Sequence, residues 1–512
     1  MSQTDMHTTD VLVIGGGTGG YSTALRAASL GLRVVLAERD LVGGTCLHRG
    51  CIPSKAMLHA AELVDGIAEA RERWGVKATV DSLDWSALVA TRDALVARNH
   101  QGVVGNLQAA GVRTVRGTAR LTGPRTVHVE GAGEFTARRG IVLATGSRPR
   151  LLPGLAADGR RVVTSDDALF APGLPASVVV LGGGAIGVEY ASFHRSMGAE
   201  VTLVEAAERL LPLEDEDVGR QLARGLKKRG IAVRTGSTLT GTELLPDGVR
   251  ATVRTPGGQE LVIETERLLV AVGRVPVTDG LDLAAAGLPA DERGFVVPAD
   301  RSRLETAVPG IHVVGDLLPP PSLGLAHASF AEGLLVAETL AGLPGRAVDY
   351  ATVPRVTYSS PQTASVGLTE AEARDRGLKI KVNTLPLAAT AKGMVHGQGG
   401  MVKVIAAADG ADGDRGLSCA WGSPRSNEVA SGGEMESSGS TGAVLGVHLV
   451  GPHVSEMIAE SQLIVAWDAE PADVAAHLHA HPTLSEAVGE AFMTLAGRGL
   501  HQHTTSARAT AR

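Results

Sequence analysis

The chain has 512 residues, enough for three or four domains at roughly 150 residues each, and its 44% hydrophobic and 20% charged residues are the balance of a folded globular protein. A net charge of −7 argues against a nucleic-acid footprint, which needs a basic excess, and no run of about 18 apolar residues is present to span a membrane. Three cysteines cannot form a disulfide framework and the polar start, Met1 to Asp10, lacks the order of a secretion signal, so a reducing, cytoplasmic setting is expected.

The first predicted strand is the apolar run Val11-Leu-Val-Ile14, which feeds Gly15-Gly-Gly17-Thr-Gly-Gly20. A helix is expected over Tyr21 to Leu30, then a strand over Arg33 to Ala37 ending at Glu38. Much later the same order returns: Val178-Val-Val-Leu181 feeds Gly182-Gly-Gly184-Ala-Ile-Gly187, a helix follows, and a strand over Glu200 to Val204 ends at Glu205. In both copies the acid stands 23 residues after the first glycine. This is the dinucleotide-binding fingerprint: one glycine for the tight turn, one for close approach of the pyrophosphate, one for helix–strand packing, and an acid for ribose hydroxyls. A single copy is a weak signal, since glycine turns are common. Two complete copies imply two bound dinucleotides, and a flavin with a nicotinamide cofactor is the simplest pairing.

Just after the first unit comes Gly43-Gly-Thr-Cys46-Leu-His-Arg-Gly-Cys51-Ile-Pro-Ser-Lys55. Two close cysteines in a reducing compartment are read as redox-active or metal-binding. In a regular helix, positions five apart are too distant for a disulfide, so a bridge requires an irregular turn, which Gly50 permits. Two unrelated buried thiols remain an alternative; zinc is a poorer one, because the stretch lacks enough soft ligands.

From about residue 351 strands and helices alternate without a glycine fingerprint. The Gly/Ser-rich segment 409–442 separates two predicted strands, Met401 to Ile405 and Val444 to Leu449, and is expected to be a flexible, inert loop carrying Cys419. The segment from Arg498 is expected to fray. Near the end, Glu486 follows His481 by five residues across Pro482. A carboxylate on one ring nitrogen sets the tautomer and raises the basicity of the other, which is a general-base arrangement.

The cysteine segment, together with Ala144-Thr-Gly-Ser147, Gly315-Asp316 with Leu325-Ala-His327, and His479-Ala-His481-Pro-Thr-Leu-Ser-Glu486, resembles the class I pyridine nucleotide-disulfide oxidoreductases. The resemblance runs from about residue 10 to 497 and is strongest to dihydrolipoyl dehydrogenases; the His-Arg-Gly spacer and the Ala- and Gly-rich composition resemble actinobacterial versions. It implies an α/β fold with two Rossmann-like domains, for FAD and NAD, and a C-terminal α+β interface domain. The implied boundaries are 1–150 for FAD, 151–278 for NAD, 279–350 for a central segment, 351–497 for the dimerisation domain and 498–512 for a tail. On the FAD side it implies Gly15, Gly17, Gly20 and Glu38 for the ADP half, Thr145 and Gly146, Asp316 at the ribitol chain, and Ala328 and Lys55 near the flavin. On the NAD side it implies Gly182, Gly184, Gly187, Glu205, Gly273, and Glu189 as the partner of Lys55. Cys46 is implied as the interchange thiol, Cys51 as the thiol facing the flavin, and His481 with Glu486 as the base, completing the partner subunit's site in a homodimer. The role of His479 is left open. The implied reaction is oxidation of protein-bound dihydrolipoyl groups with NAD as acceptor, on lipoyl domains of 2-oxoacid dehydrogenase or glycine cleavage complexes, with no metal.

Several rivals share parts of this pattern. A mercuric reductase ends in a cysteine pair, and no cysteine follows Ala480. Glutathione-type reductases prefer NADPH, which calls for basic residues where Glu205 stands. A quinone reductase would not need both cysteines and the His–Glu pair. A non-catalytic flavoprotein subunit would be favoured by loss of Cys51 or His481, and both are present.

Overall fold

The apolar run at Val11 lies within the strand Thr8–Ile14, with Val11 to Ile14 buried, in the computed structural model, which describes residues 7–408 and 441–502. A parallel strand covered on both faces has to be apolar along its length, and this one is. It pairs in parallel with Val34–Glu38 on one side and with Gly133–Leu143 on the other. Arg113–Arg116 extends the first side. Ile311–Val313 pairs in parallel with Gly133–Leu143, so a segment far along the chain closes the first sheet. The chain accordingly divides into two units: Met1–Leu174 with Leu269–Tyr350, and Pro175–Leu268 with Ala351–Arg512.

In the first unit the helix Thr18–Ser29 begins three residues before the predicted Tyr21. Gly19 and Gly20 are buried in its first turn, so part of the glycine run that reads as turn is helix. The helix Ala326–Ala341 packs beside it, with Val336 and Ala337 in the core shared by the sheet.

The second unit repeats the pattern. Ser177–Leu181, Glu200–Val204 and Ala232–Arg234 are parallel neighbours, and the helix Ala185–Ser196 connects the first two. Thr238–Leu245, Gly248–Arg254 and Glu260–Thr265 form an antiparallel sheet of three. The residues from Ala351 build an antiparallel sheet in the order Arg355–Thr357, Gln362–Gly367, Thr441–Gly451, Met401–Ala408, Ile380–Pro386. The helices Val454–Ala466 and Glu486–Leu495 join it in one core, where Val447 and Leu449 meet Ile458, Val488 and Phe492.

Lys403 ties the two segments of this unit together. Its side chain is 3% exposed, and its ammonium lies 2.8 Å from each of Asp215, Asp217 and Glu370. Burial pulls the ammonium towards neutrality, but the three carboxylates outweigh it and hold its pKa above the usual lysine range.

Two expectations are corrected here. Thr441 and Gly442 belong to a strand rather than to the Gly/Ser-rich segment, because Thr441 pairs with Ala408 and continues the ladder. Residues 409–440, with Cys419, lie outside the described residues. The chain after Arg498 is not frayed as far as Gln502. Glu490 is buried in the last helix and needs donors, and the backbone N–H groups of Leu500 and His501 both reach its Oε1 at 2.7 Å. Among the described residues no helix is long and apolar enough to cross a membrane.

Candidate active site

The two glycine turns have nearly the same geometry. Gly15 and Gly182 have φ of +103° and +104°, in the region that disfavours side chains. A Cβ at Gly20 would lie 1.8 Å from the carbonyl oxygen of Gly15, and one at Gly187 would lie 1.8 Å from that of Gly182. The third glycine of each turn is therefore required by contact with the first. By contrast, a Cβ at Gly17 would meet nothing nearer than 4.0 Å, and one at Gly184 nothing within 4 Å. Neither helix N-terminus has a side-chain cap, so its first N–H groups are not taken up by a capping side chain. The donor set and the cradle fit a pyrophosphate at each turn.

The terminal acids repeat as well. Glu38 Oε2 accepts the Gly16 N–H at 2.6 Å and Oε1 accepts the Asp40 N–H at 2.8 Å. Glu205 Oε2 accepts the Gly183 N–H, and Oε1 accepts the Ala207 N–H at 2.6 Å. Each acid thus holds the middle glycine of its own turn. The sequence carried a signal for this, a glycine at that position in both copies, which the fingerprint alone does not explain.

Cys46 and Cys51 form a disulfide with Cα atoms 4.6 Å apart. The helix Gly44–Arg49 ends at Gly50, and a new helix, Cys51–Arg73, starts with the second cysteine. A Cβ at Gly50 would press to 3.0 Å from the Thr45 carbonyl, so glycine spares a tight contact at the break that brings the sulfurs together. His48 Nε2 lies 2.9 Å from the Val42 carbonyl, and Arg49 pairs with Asp40 at 2.9 Å, fixing the loop from both sides. Lys55 lies one helical turn beyond Cys51, on the same face.

In the same unit, Ser147–Pro149 pairs with Arg274–Pro276 and gathers several of the expected residues. Thr145 Oγ1 donates to the Val277 carbonyl at 2.6 Å, the Gly146 carbonyl accepts from Val277 N–H at 2.8 Å, and the Gly273 carbonyl accepts from Arg150 N–H at 3.0 Å. The Ser147 hydroxyl donates to Asp316, and the Arg274 guanidinium stands 3.8 Å from that carboxylate. Burial raises the Asp316 carboxyl above the usual range, against the pull of Ser147 and Arg274. Ala328 is buried on the helix Ala326–Ala341. One turn further along it, Glu332, fully buried, accepts from Gly315 N–H at 2.7 Å and from the Ser322 and Tyr350 hydroxyls at 2.9 Å each. Sequence reasoning missed Glu332, whose only signal is an acid inside an apolar helix. It fixes the backbone that carries Asp316.

In the second unit Glu189 is buried and accepts the Tyr358 N–H at 2.9 Å. His481 is 68% exposed, and its Nδ1 donates to Glu486 Oε1 at 2.7 Å, with Glu486 only 18% exposed. That leaves Nε2 of His481 as the open, proton-accepting nitrogen. His479 Nε2 meets Glu460 Oε1 at 2.7 Å. Among the described residues no group of three or more His, Cys, Asp or Glu could hold a metal ion.

Residues 9–333 match the family described as pyridine nucleotide-disulphide oxidoreductase, and residues 353–412 and 436–492 match its dimerisation domain. The chain is 36% identical to a dihydrolipoyl dehydrogenase of Bacillus subtilis, covering 96% of this chain and 99% of that one. It is 39% identical to a dihydrolipoyl dehydrogenase of Thermus scotoductus, covering 97% and 99%. The solved structure of LpdA from Mycobacterium tuberculosis superposes with a TM-score of 0.80 at 24% identity, over 95% of this chain and 99% of that one, a likeness of fold. With both family domains matched and relatives similar along nearly the whole length, the chain belongs to the pyridine nucleotide-disulphide oxidoreductases, and within them to the FAD- and NAD-dependent, dimeric dihydrolipoyl dehydrogenases.

Proposed function

We propose that the physiological substrate is a dihydrolipoyl group carried on a lipoyl domain of a 2-oxoacid dehydrogenase or glycine cleavage complex, oxidised in the cytoplasm. The observation that carries this reading is the Cys46–Cys51 disulfide, closed across the helix break at Gly50. A short loop that keeps both sulfurs in reach can open and reclose without unfolding its helices.

His481 is the base of the proposed reaction. With Nδ1 held by Glu486, Nε2 takes the proton of a dihydrolipoyl thiol, and the carboxylate stabilises the imidazolium that results. The substrate thiolate attacks Cys46 Sγ, the bond to Cys51 breaks, and Cys51 leaves as a thiolate. The second substrate thiol then attacks the substrate sulfur of the mixed disulfide and the bond to Cys46 breaks; its proton goes to the departing Cys46 sulfur, the lipoyl disulfide leaves, and both electrons remain on the cysteine pair. When bound, FAD and NAD supply the two-electron acceptor for that pair and the final hydride acceptor.

Gly15, Gly17, Gly20 and Glu38 would hold the ADP half of FAD, with Thr145, Gly146, Asp316 and the backbone at Ala328 along its remainder. Gly182, Gly184, Gly187 and Glu205 would hold NAD, with Gly273 on its nicotinamide side. Lys55 would approach the flavin, and Glu189 would lie on the nicotinamide side. In the dimer, His481 would serve the partner subunit's Cys46.

The test compares NAD reduction by the purified protein with dihydrolipoamide, glutathione and quinols as donors, alongside Cys46→Ser and Cys51→Ser. Dihydrolipoamide should be preferred and both variants should lose its turnover. Cys51→Ser alone should also lose the long-wavelength absorption of the two-electron-reduced enzyme, which Cys46→Ser should keep. Near-normal dihydrolipoamide turnover in either variant would refute the disulfide mechanism.

A further inference from the structure

The reaction above uses His481 and Glu486 and gives His479 no part. Its side chain is 13% exposed and is anchored by Glu460, which comes from the helix Val454–Ala466. The ring also stands against the helix Glu486–Leu495, since a Cβ at Gly489 would lie 2.3 Å from His479 Nδ1. The missing side chain at Gly489 is what admits the imidazole there. Gly489 follows Glu486 by three residues, so the ring lies over the helix face that carries that carboxylate. Glu486 has an unusual environment of its own. One oxygen receives His481, while the other, Oε2, is buried with no hydrogen-bond partner among the described residues. Leaving a buried carboxylate oxygen without a donor is costly, and a positive group placed beside it offsets that cost.

We propose that His479, held by Glu460, is a positioning residue that supplies the counter-charge to Glu486, so that Glu460, His479, Glu486 and His481 form one row setting the base. The inference rests on the reading of His481 as that base. The carboxylates facing His479 are Glu460 from one helix and Glu486 from the other. The Glu460 hydrogen bond raises the imidazole above the usual histidine range, burial opposes the rise, and the charges of Glu460 and Glu486 reinforce it. The two carboxylates thus shift the His479 imidazole towards its charged form beside Glu486.

The test is the pH dependence of kcat/KM for dihydrolipoamide in the full-length holoenzyme, with the melting temperature read alongside. Removing a positive neighbour makes the Glu486–His481 pair bind its proton more tightly, whichever of the two takes it. Activity needs that pair unprotonated, so His479→Gln should move the acidic limb to higher pH by about half a unit or more. Glu460→Gln should move it the same way by less, since it also removes a more distant negative charge. It keeps the side-chain volume, so it remains readable if His479→Gln folds poorly. A limb that stays in place in Glu460→Gln and in whatever His479→Gln protein folds, with only the melting temperature lowered, would overturn the proposal. His481→Gln separates the two failures. If that variant turns over normally, the base itself is misassigned; if its turnover collapses while the limb is unmoved in the others, only the counter-charge role is lost.

Discussion

A methyl group at Gly20 or Gly187 would have to displace a carbonyl oxygen 1.8 Å away, and that oxygen belongs to the residue that makes the turn. Relief would require moving the helix off its strand, at a cost of about 3 kcal/mol or more. The same substitution should nonetheless have different consequences at the two positions, because each turn is proposed to serve its own dinucleotide. Gly20→Ala is expected to purify with most of its flavin missing, read as visible absorbance per chain. Gly187→Ala is expected to keep its flavin and to raise the KM for NAD by about tenfold or more, equivalent to about 1.4 kcal/mol. Equal flavin loss in the two variants would contradict the assignment. The sequence proposes ribose contacts for the two acids, but their bonds to the Gly16 and Gly183 N–H groups were not legible in it. Those bonds depend on where the end of the second strand lies beside the turn, which no local pattern specifies.

At the scale of elements, strands were easier to read than their ends. Glu200–Val204 appears as expected, while Thr441–Gly451 starts three residues before the predicted Val444. Gly442 disfavours a strand and leaves Thr441 outside any apolar run, so both are recruited by pairing, with Thr441 opposite Ala408. Because that pair closes the ladder, replacing residues 409–440 with a two-residue hairpin turn should leave dihydrolipoamide turnover within a few-fold and the melting temperature unchanged or higher. Loss of flavin or of the dimer on deletion would show that the segment is needed.

Lys403 gives a second element-scale expectation, since its strand holds Asp215 at the N-cap of the helix Glu216–Lys228 and Glu370 at the start of another. Lys403→Met strands a carboxylate that is 2% exposed and should cost about 3 kcal/mol. Burial raises the Asp215 carboxyl, but hydrogen bonds from Lys403 and the Glu370 N–H help to bring it below its usual value. A depressed carboxylate contributes stability above its unfolded pKa and loses it as pH falls through the folded one; a raised lysine contributes below its unfolded pKa and loses it at higher pH. The deficit of Lys403→Met should therefore be constant from about pH 5 to pH 9 and shrink towards pH 3, as measured by denaturant melts.

For the whole molecule, the assembly expectation can be tested by complementation. A subunit with Cys46→Ser and one with His481→Ala should each be dead as a homodimer. If the site is shared across the dimer, a mixed dimer has one site with both lesions and one with neither. Random mixing makes about half the dimers mixed, so activity should recover to about a quarter of wild type. With both residues in one chain every site would carry a lesion, and no recovery would appear in dimers confirmed as mixed by mass.

The sequence by itself determined the two dinucleotide turns, the redox pair and the His481–Glu486 pair, because each lies within one short stretch whose spacing is dictated by local geometry: a turn, a helix break, a bend before a helix. Only the tertiary structure decided what supports them. Ile311–Val313 completing the first sheet, Glu332 gathering Gly315, Ser322 and Tyr350, Lys403 reaching Asp215, and Glu460 holding His479 all join residues from separate stretches of chain. A buried charge needs partners, but which partners it finds is settled by how distant segments pack together, and no local pattern records that pairing.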